Sequence, residues 1–182
     1  MKTSAAIVPL TLRPHLVFFL IKELTGDSKI FAGFKCKTHD LSRDSLIGRF
    51  ILERLEKLDY PVKEIKNFNF FLEIKNPTRA RYIAKGNFYK IENLGKSFVQ
   101  LPEKFREDVN DLIEQQFRTA FYSYISANSD NDESISKAIL KFVDKYDLFE
   151  AGFSQAGLRK LYYRMREAGG VCSTLQGKLP RK

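Results

Sequence analysis

Hydrophobic side chains in the second half of the chain recur at intervals of three and four residues, the spacing of one face of an α-helix. The first such stretch begins at Pro102 and predicts a helix of about six turns. Its apolar positions are Phe105, Val109, Leu112, Ile113, Phe117, Ala120, Phe121 and Tyr124. A polar break at residues 128–133 precedes a second stretch. Its apolar positions are Ile135, Ala138, Ile139, Phe142, Val143 and Tyr146. The pattern therefore predicts two consecutive amphipathic helices.

A third helix is predicted from Ser154, whose hydroxyl group is a good N-cap. Gly169 and Gly170 should end it, because glycine readily adopts the left-handed conformation that follows a helix. The residues expected on its inner face are Leu158, Leu161, Tyr162 and Met165.

The first half of the chain predicts shorter helices. Pro14 is well placed to open a helix that runs to Leu24 and stops at Gly26. This stretch is apolar almost all round, so a strand through residues 16–21 stays open as an alternative. A second helix is expected to begin at Ser42 or Asp44 and to end at Tyr60-Pro61. Its apolar positions are Ile47, Phe50, Ile51, Leu55 and Leu58.

Alternation of apolar and polar residues predicts strands between and after these helices. Residues 28–37 alternate, and residues 66–75 do so most clearly, with Phe68, Phe70, Leu72 and Ile74 on one face. Residues 79–91 are expected to hold one or two further strands, interrupted near Gly86.

This order of elements predicts an α+β protein rather than a doubly wound sheet. Residues 1–100 are expected to combine N-terminal helices with a small antiparallel sheet. Residues 101–170 form a three-helix part that resembles a helix-turn-helix module and could share one core with the first part. Residues 171–182 are expected to be a flexible basic tail.

The composition is that of an ordinary globular protein, with 43% hydrophobic and 29% charged residues. Only two cysteines occur, Cys36 and Cys172, which excludes a secreted scaffold held together by disulfides. The longest clean apolar run, residues 16–21, is too short for a membrane span or a signal peptide. The sequence thus predicts a cytoplasmic protein with reduced thiols and no membrane partner.

The net charge of +9 favours acidic partners, with nucleic acid first among them. The charge is unevenly distributed: residues 101–133 carry 3 basic and 8 acidic side chains, whereas residues 154–182 carry 7 basic and 1 acidic. The basic side chains of the third predicted helix are therefore the first candidates for contact with nucleic acid.

The candidate residues on this third helix are Arg159, Lys160, Tyr163, Arg164 and Arg166. Arg159, Tyr163 and Arg166 are spaced i, i+4, i+7 and should share one face. In a helix-turn-helix module the final helix enters the major groove, where arginines read bases or bind phosphates. The predicted seven-residue connection before this helix is longer than the usual turn of that motif. The alternative is that this arginine-rich face is simply exposed to solvent and has no binding role.

A second basic stretch, residues 75–90, holds Arg79, Arg81 and Lys85 together with interleaved aromatic residues and no acidic residue. Cations pair with phosphates and aromatic rings stack on unpaired bases, so a hairpin that contacts phosphates is possible here. Equally, the aromatic rings could belong to the core while the charges protect a sheet edge. The tail residues Lys178, Arg181 and Lys182 would add further phosphate contacts.

The sequence contains no phosphate-binding glycine loop and no other recognisable catalytic motif. His15 and His39 have no partners at a typical metal spacing, and Cys36-x-x-His39 with Cys172 matches a zinc site only weakly. We therefore expect a non-enzymatic protein without a metal or another cofactor.

The segment of residues 139–166 resembles the C-terminal ends of small uncharacterised proteins carried by bacterial mobile elements and phages. The resemblance rests on Ile139, Phe142-Val143 and Tyr146, followed by Leu158-Arg159-Lys160 and Tyr162-Tyr163-Arg164-x-Arg166. It implies an accessory role associated with DNA, and it assigns no role to individual residues.

Two functions are consistent with these patterns. The first is a nucleic-acid-binding, chiefly DNA-binding, accessory or regulatory protein that uses the basic C-terminal helix. The second is a protein-interaction or assembly module, in which the apolar stripe of the helix at residues 102–125 pairs with another chain, or the acidic residues of 101–133 complement a basic surface of a second copy.

Overall fold

The computed structural model describes residues 5–31, 34–38, 45–58, 68–75 and 98–170, and these form a mixed α+β structure. The helices are α1 (Pro14–Glu23), α2 (Leu46–Leu52), α3 (Arg106–Ala127), α4 (Asp132–Tyr146) and α5 (Gln155–Glu167). The strands are β1 (Ala5–Leu10), β2 (Ser28–Phe31), β3 (Phe34–Thr38), β4 (Glu56–Leu58), β5 (Phe70–Lys75) and β6 (Phe98–Gln100). A 3-10 helix of three residues, Glu103–Phe105, leads into α3.

The main sheet has four strands in the order β1-β5-β3-β2, and β4 and β6 form a separate antiparallel pair. The expected antiparallel pairing is found between β1 and β5 and between β2 and β3. However, β3 and β5 are parallel, with Cys36 opposite Phe71, so the sheet is mixed rather than antiparallel.

The prediction that helices precede the strands is wrong, because β1 comes before α1. Pro9 lies within β1, opposite Phe71, and among the described strands β1 stands at the edge of its sheet. Proline is tolerated at an edge because no neighbouring strand needs its missing N–H group. Val8 and Leu10 are buried, which explains the apolar character of this segment.

The second predicted helix is shorter than expected. Ser45 caps α2 by accepting a hydrogen bond from the Gly48 amide, and the helix ends at Leu52. Residues 56–58, expected within that helix, instead form β4 and pair with β6. The single strand expected at residues 28–37 is likewise two strands, β2 and β3, while β5 confirms the strand predicted to end at Lys75. The strands expected at residues 79–91 lie outside the described residues.

The chain divides into two compact units. The first unit comprises Met1–Arg13 and Glu23–Asn110, and the second, here called the helical unit, comprises Pro14–Lys22 and Asp111–Lys182. The helix predicted from Pro14 to Leu24 is confirmed as α1, and its residues up to Lys22 belong with the helical unit.

Two asparagine side chains fix the segment after β1 in the first unit. The Asn69 amide donates to the Leu12 carbonyl at 2.7 Å and accepts from the Leu12 N–H. The Asn110 side chain, buried in α3, donates to the Thr11 carbonyl and accepts from the Arg13 N–H at 2.8 Å. These bonds satisfy backbone N–H and carbonyl groups of the segment that connects β1 to α1.

The helical unit is built around aromatic side chains. Phe117 is fully buried, and its ring contacts Phe19, Phe121 and Phe142 at centroid distances of 5.5, 6.4 and 6.0 Å. Helix α4 begins with a capping box between Asn131 and Ser134. The periodic apolar positions of the sequence therefore form the core that holds α5 in place.

Candidate nucleic-acid interface

Helix α5 is positioned by its apolar face and its two ends. The Ser154 hydroxyl accepts a hydrogen bond from the Gly157 amide at 3.1 Å, as the N-cap prediction requires. Leu158, Tyr162 and Met165 are buried, and the Tyr162 ring stacks on Tyr122 at 5.5 Å. The basic side chains of α5 are thereby left on its outer faces.

The structure brings Arg159, Tyr163 and Arg166 together on one side of α5. Both guanidinium groups lie over the Tyr163 ring, at 5.7 Å from its centroid for Arg159 and 4.6 Å for Arg166. Cations are attracted to the negative face of an aromatic ring at such distances. We call these three residues the arginine–tyrosine column.

An acidic residue from α4, Asp132, meets this column. The Tyr163 hydroxyl donates a hydrogen bond to Asp132 Oδ1, and Arg159 Nη2 lies 3.8 Å from Asp132 Oδ2. The Tyr163 side chain, through a hydrogen bond and then through its charge, does most to raise the pKa of Arg159; burial opposes the rise, and the charge of Asp132 adds a smaller contribution in the same direction as Tyr163. Sequence reasoning missed Asp132, because its role depends on the packing of α4 against α5.

Lys160 and Arg164 are exposed on a second side of α5. They are spaced i, i+4, so they are neighbours along the helix surface. Within the part of the chain that the structure describes, neither side chain forms an ion pair or a hydrogen bond. We call this pair the open basic ridge.

The other predicted contact residues lie outside the described residues. These are Arg79, Arg81 and Lys85 in the second basic stretch, and Lys178, Arg181 and Lys182 in the tail. The same holds for His39 and Cys172 of the weak zinc motif, and among described residues no group of three His, Cys, Asp or Glu side chains is arranged to hold a metal ion. None of the described helices combines the length and the apolar character needed to cross a membrane.

A buried polar network in the helical unit was also missed by sequence reasoning. His15 Nε2 lies 2.7 Å from Glu114 Oε2, and Arg118 Nε donates to Glu114 Oε1 at 2.7 Å. Burial alone would raise the pKa of Glu114, but the hydrogen bonds from His15 and Arg118 outweigh it and lower the pKa to about 2. Both carboxylate oxygens of Glu114 are thus engaged by side chains of the helical unit.

Comparison of the chain with protein-family models, with curated proteins and with solved structures gives no match in any of the three.

Proposed function

We propose that the protein is a non-enzymatic nucleic-acid-binding protein, with DNA as the preferred ligand, that acts in an accessory or regulatory role. The contact surface is α5. The observation that carries this proposal is the open basic ridge, because Lys160 and Arg164 stand side by side and exposed on a helix whose only acidic residue is Glu167.

The charge of α5 supports contact with phosphates more directly than reading of bases. The connection between α4 and α5 spans residues 147–154, longer than the turn of about three to four residues in a helix-turn-helix motif. Lysine and arginine that neutralise phosphates supply affinity without sequence selection. We therefore propose that α5 binds the phosphate backbone, with Lys160 and Arg164 as the principal contacts and Arg159 and Arg166 beside them.

One form of the alternative, a protein-interaction module, relied on an available apolar stripe along α3. The buried residues of that stripe are Val109, Ile113, Phe117, Phe121 and Ile125. An apolar face that is already covered within the chain leaves little for a second chain to pack against, so we favour nucleic-acid binding. Sedimentation of the purified protein would reveal a tight oligomer if the alternative holds.

Fluorescence anisotropy tests the proposal with a random DNA duplex, a DNA single strand and an RNA hairpin at low salt. Wild-type protein should bind and should prefer the DNA duplex. The variants K160E and R164E should each weaken binding at least about tenfold, because an attraction between a cation and a phosphate becomes a repulsion. The matched control is K141E, which makes the same charge change at an exposed lysine of α4.

Equal weakening by all three variants would mean that only the net charge matters, and it would contradict a specific role for α5. Absence of wild-type binding to all three ligands at low salt would overturn the proposal entirely.

A further inference from the structure

Asp132 contacts two members of the arginine–tyrosine column, one with each of its carboxylate oxygens. One carboxylate oxygen accepts from the Tyr163 hydroxyl and the other lies 3.8 Å from Arg159 Nη2. A phosphate presents similarly spaced anionic oxygens and pairs well with a guanidinium group and a hydroxyl group.

The contact between Asp132 and Arg159 is easily exchanged. Side-chain exposure is 42% for Arg159 and 72% for Asp132, and their separation is near the limit for an ion pair. Exposed pairs of this kind are screened by solvent and contribute little to stability. Loss of this ion pair would therefore cost the folded protein little, and an incoming anion would accept the hydrogen bond from the Tyr163 hydroxyl in place of Asp132.

Arg159 and Arg166, at the two ends of the column, differ in whether a carboxylate contacts them. Arg166 lies 4.6 Å from the centroid of the Tyr163 ring, and among the described residues it has no carboxylate within ion-pair distance. The column thus presents one arginine that is open to an anion and one that is occupied by Asp132.

We propose that Asp132 is a built-in competitor of phosphate: it occupies Arg159 and Tyr163 in the free protein, and a backbone phosphate of the bound nucleic acid displaces it. This inference rests on the proposed function and assigns Asp132 as the residue that limits affinity at that site.

The variant D132N keeps a side chain of the same shape and removes the competing charge. It should raise the affinity for the DNA duplex about three- to fivefold, since the carboxylate no longer competes with the phosphate for Arg159. The matched control is E133Q, which removes the same charge from the same first turn of α4. Glu133 bonds to Lys137 of its own helix at 2.6 Å and forms no other ion pair or side-chain hydrogen bond among the described residues, so E133Q should change affinity less than about twofold.

Equal effects of D132N and E133Q would overturn the inference, because they would report only a loss of surface charge. A weaker duplex complex with D132N would also overturn it, since Asp132 would then position the column rather than compete for it. In both cases the proposed function would stand.

A second probe separates failure of the inference from failure of the proposed function. Tripolyphosphate carries phosphate charge without bases, and its binding can be followed by the NMR signal of the Arg159 Nε–H group, assigned by its loss in R159K. If the wild-type chain binds no nucleic acid, the proposed function fails. A tripolyphosphate shift that is larger in D132N than in E133Q would still support Asp132 as the competitor, and equal shifts would overturn it.

Discussion

His15 and Glu114 are 99 residues apart in sequence, yet their side chains are joined in the helical unit by a contact of 2.7 Å between Nε2 and Oε2. The side chains are 12% and 6% exposed, so this polar pair is buried beside the aromatic core. Arg118 engages the other oxygen of the same carboxylate. A buried carboxylate with both oxygens bonded to cationic or polar donors contributes to stability only while it stays charged.

The first prediction concerns acid unfolding. The pKa of Glu114 is lowered from 4.5 to about 2 in the folded protein. Its stabilising contribution is therefore fully present above pH 4.5 and is lost as the pH falls through 2. The stability advantage of wild type over E114Q should shrink by about 3 kcal/mol between pH 5 and pH 2. Urea unfolding of both proteins across this range measures it, and an advantage that is independent of pH would contradict the assignment.

The second prediction concerns the aromatic core. Phe117 is 0% exposed, and F117A should lower the free energy of unfolding by about 3–5 kcal/mol because it leaves a cavity among packed rings. The matched control is F149A at a phenylalanine that is 52% exposed, where a change within about 0.5 kcal/mol is expected. Similar losses in the two variants, measured by chemical denaturation, would argue against Phe117 as the centre of this core.

The third prediction concerns the end of α5. Gly170 has φ +72°, and a Cβ atom there would lie 2.9 Å from Tyr122 Cε1, whereas Gly169 has φ +93° with nothing within 4 Å of its Cβ position. G169A should cost about 1–2 kcal/mol from backbone strain alone. G170A should cost more, because the ring of Tyr122 must also move. Thermal unfolding of the two variants measures both losses of stability. Equal losses would mean that the Tyr122 ring moves away from the new methyl group without an energetic cost.

The helices were the part of the fold most accessible from the sequence. Pro14, Ser154 and the periodic apolar positions of α3, α4 and α5 are local signals, and the structure confirms helices at all of them. The spacing of Arg159, Tyr163 and Arg166 also placed these side chains on one face, because helical geometry alone determines it.

The features that depend on distant parts of the chain were not predicted. Residues 56–58, which the sequence placed in the second helix, instead pair as β4 with residues 98–100 of β6, which are far away in sequence. The contact of Asp132 with Tyr163 requires two helices to pack together, because the two residues are 31 positions apart in sequence. Such contacts leave no periodic pattern in the sequence. They distinguish Arg159, which Asp132 contacts, from the residues of the open basic ridge.

The salt dependence of duplex binding tests the central claim most directly. Each phosphate neutralised by a cation contributes about 0.9 to the slope of log affinity against log salt concentration. If Lys160 and Arg164 each contact a phosphate, the double variant K160A/R164A should reduce this slope by about 1.8 relative to wild type. The double variant K137A/K141A loses the same charge from α4 and should keep the wild-type slope. A slope that is unchanged in K160A/R164A, or reduced equally in both, would contradict phosphate contact by α5.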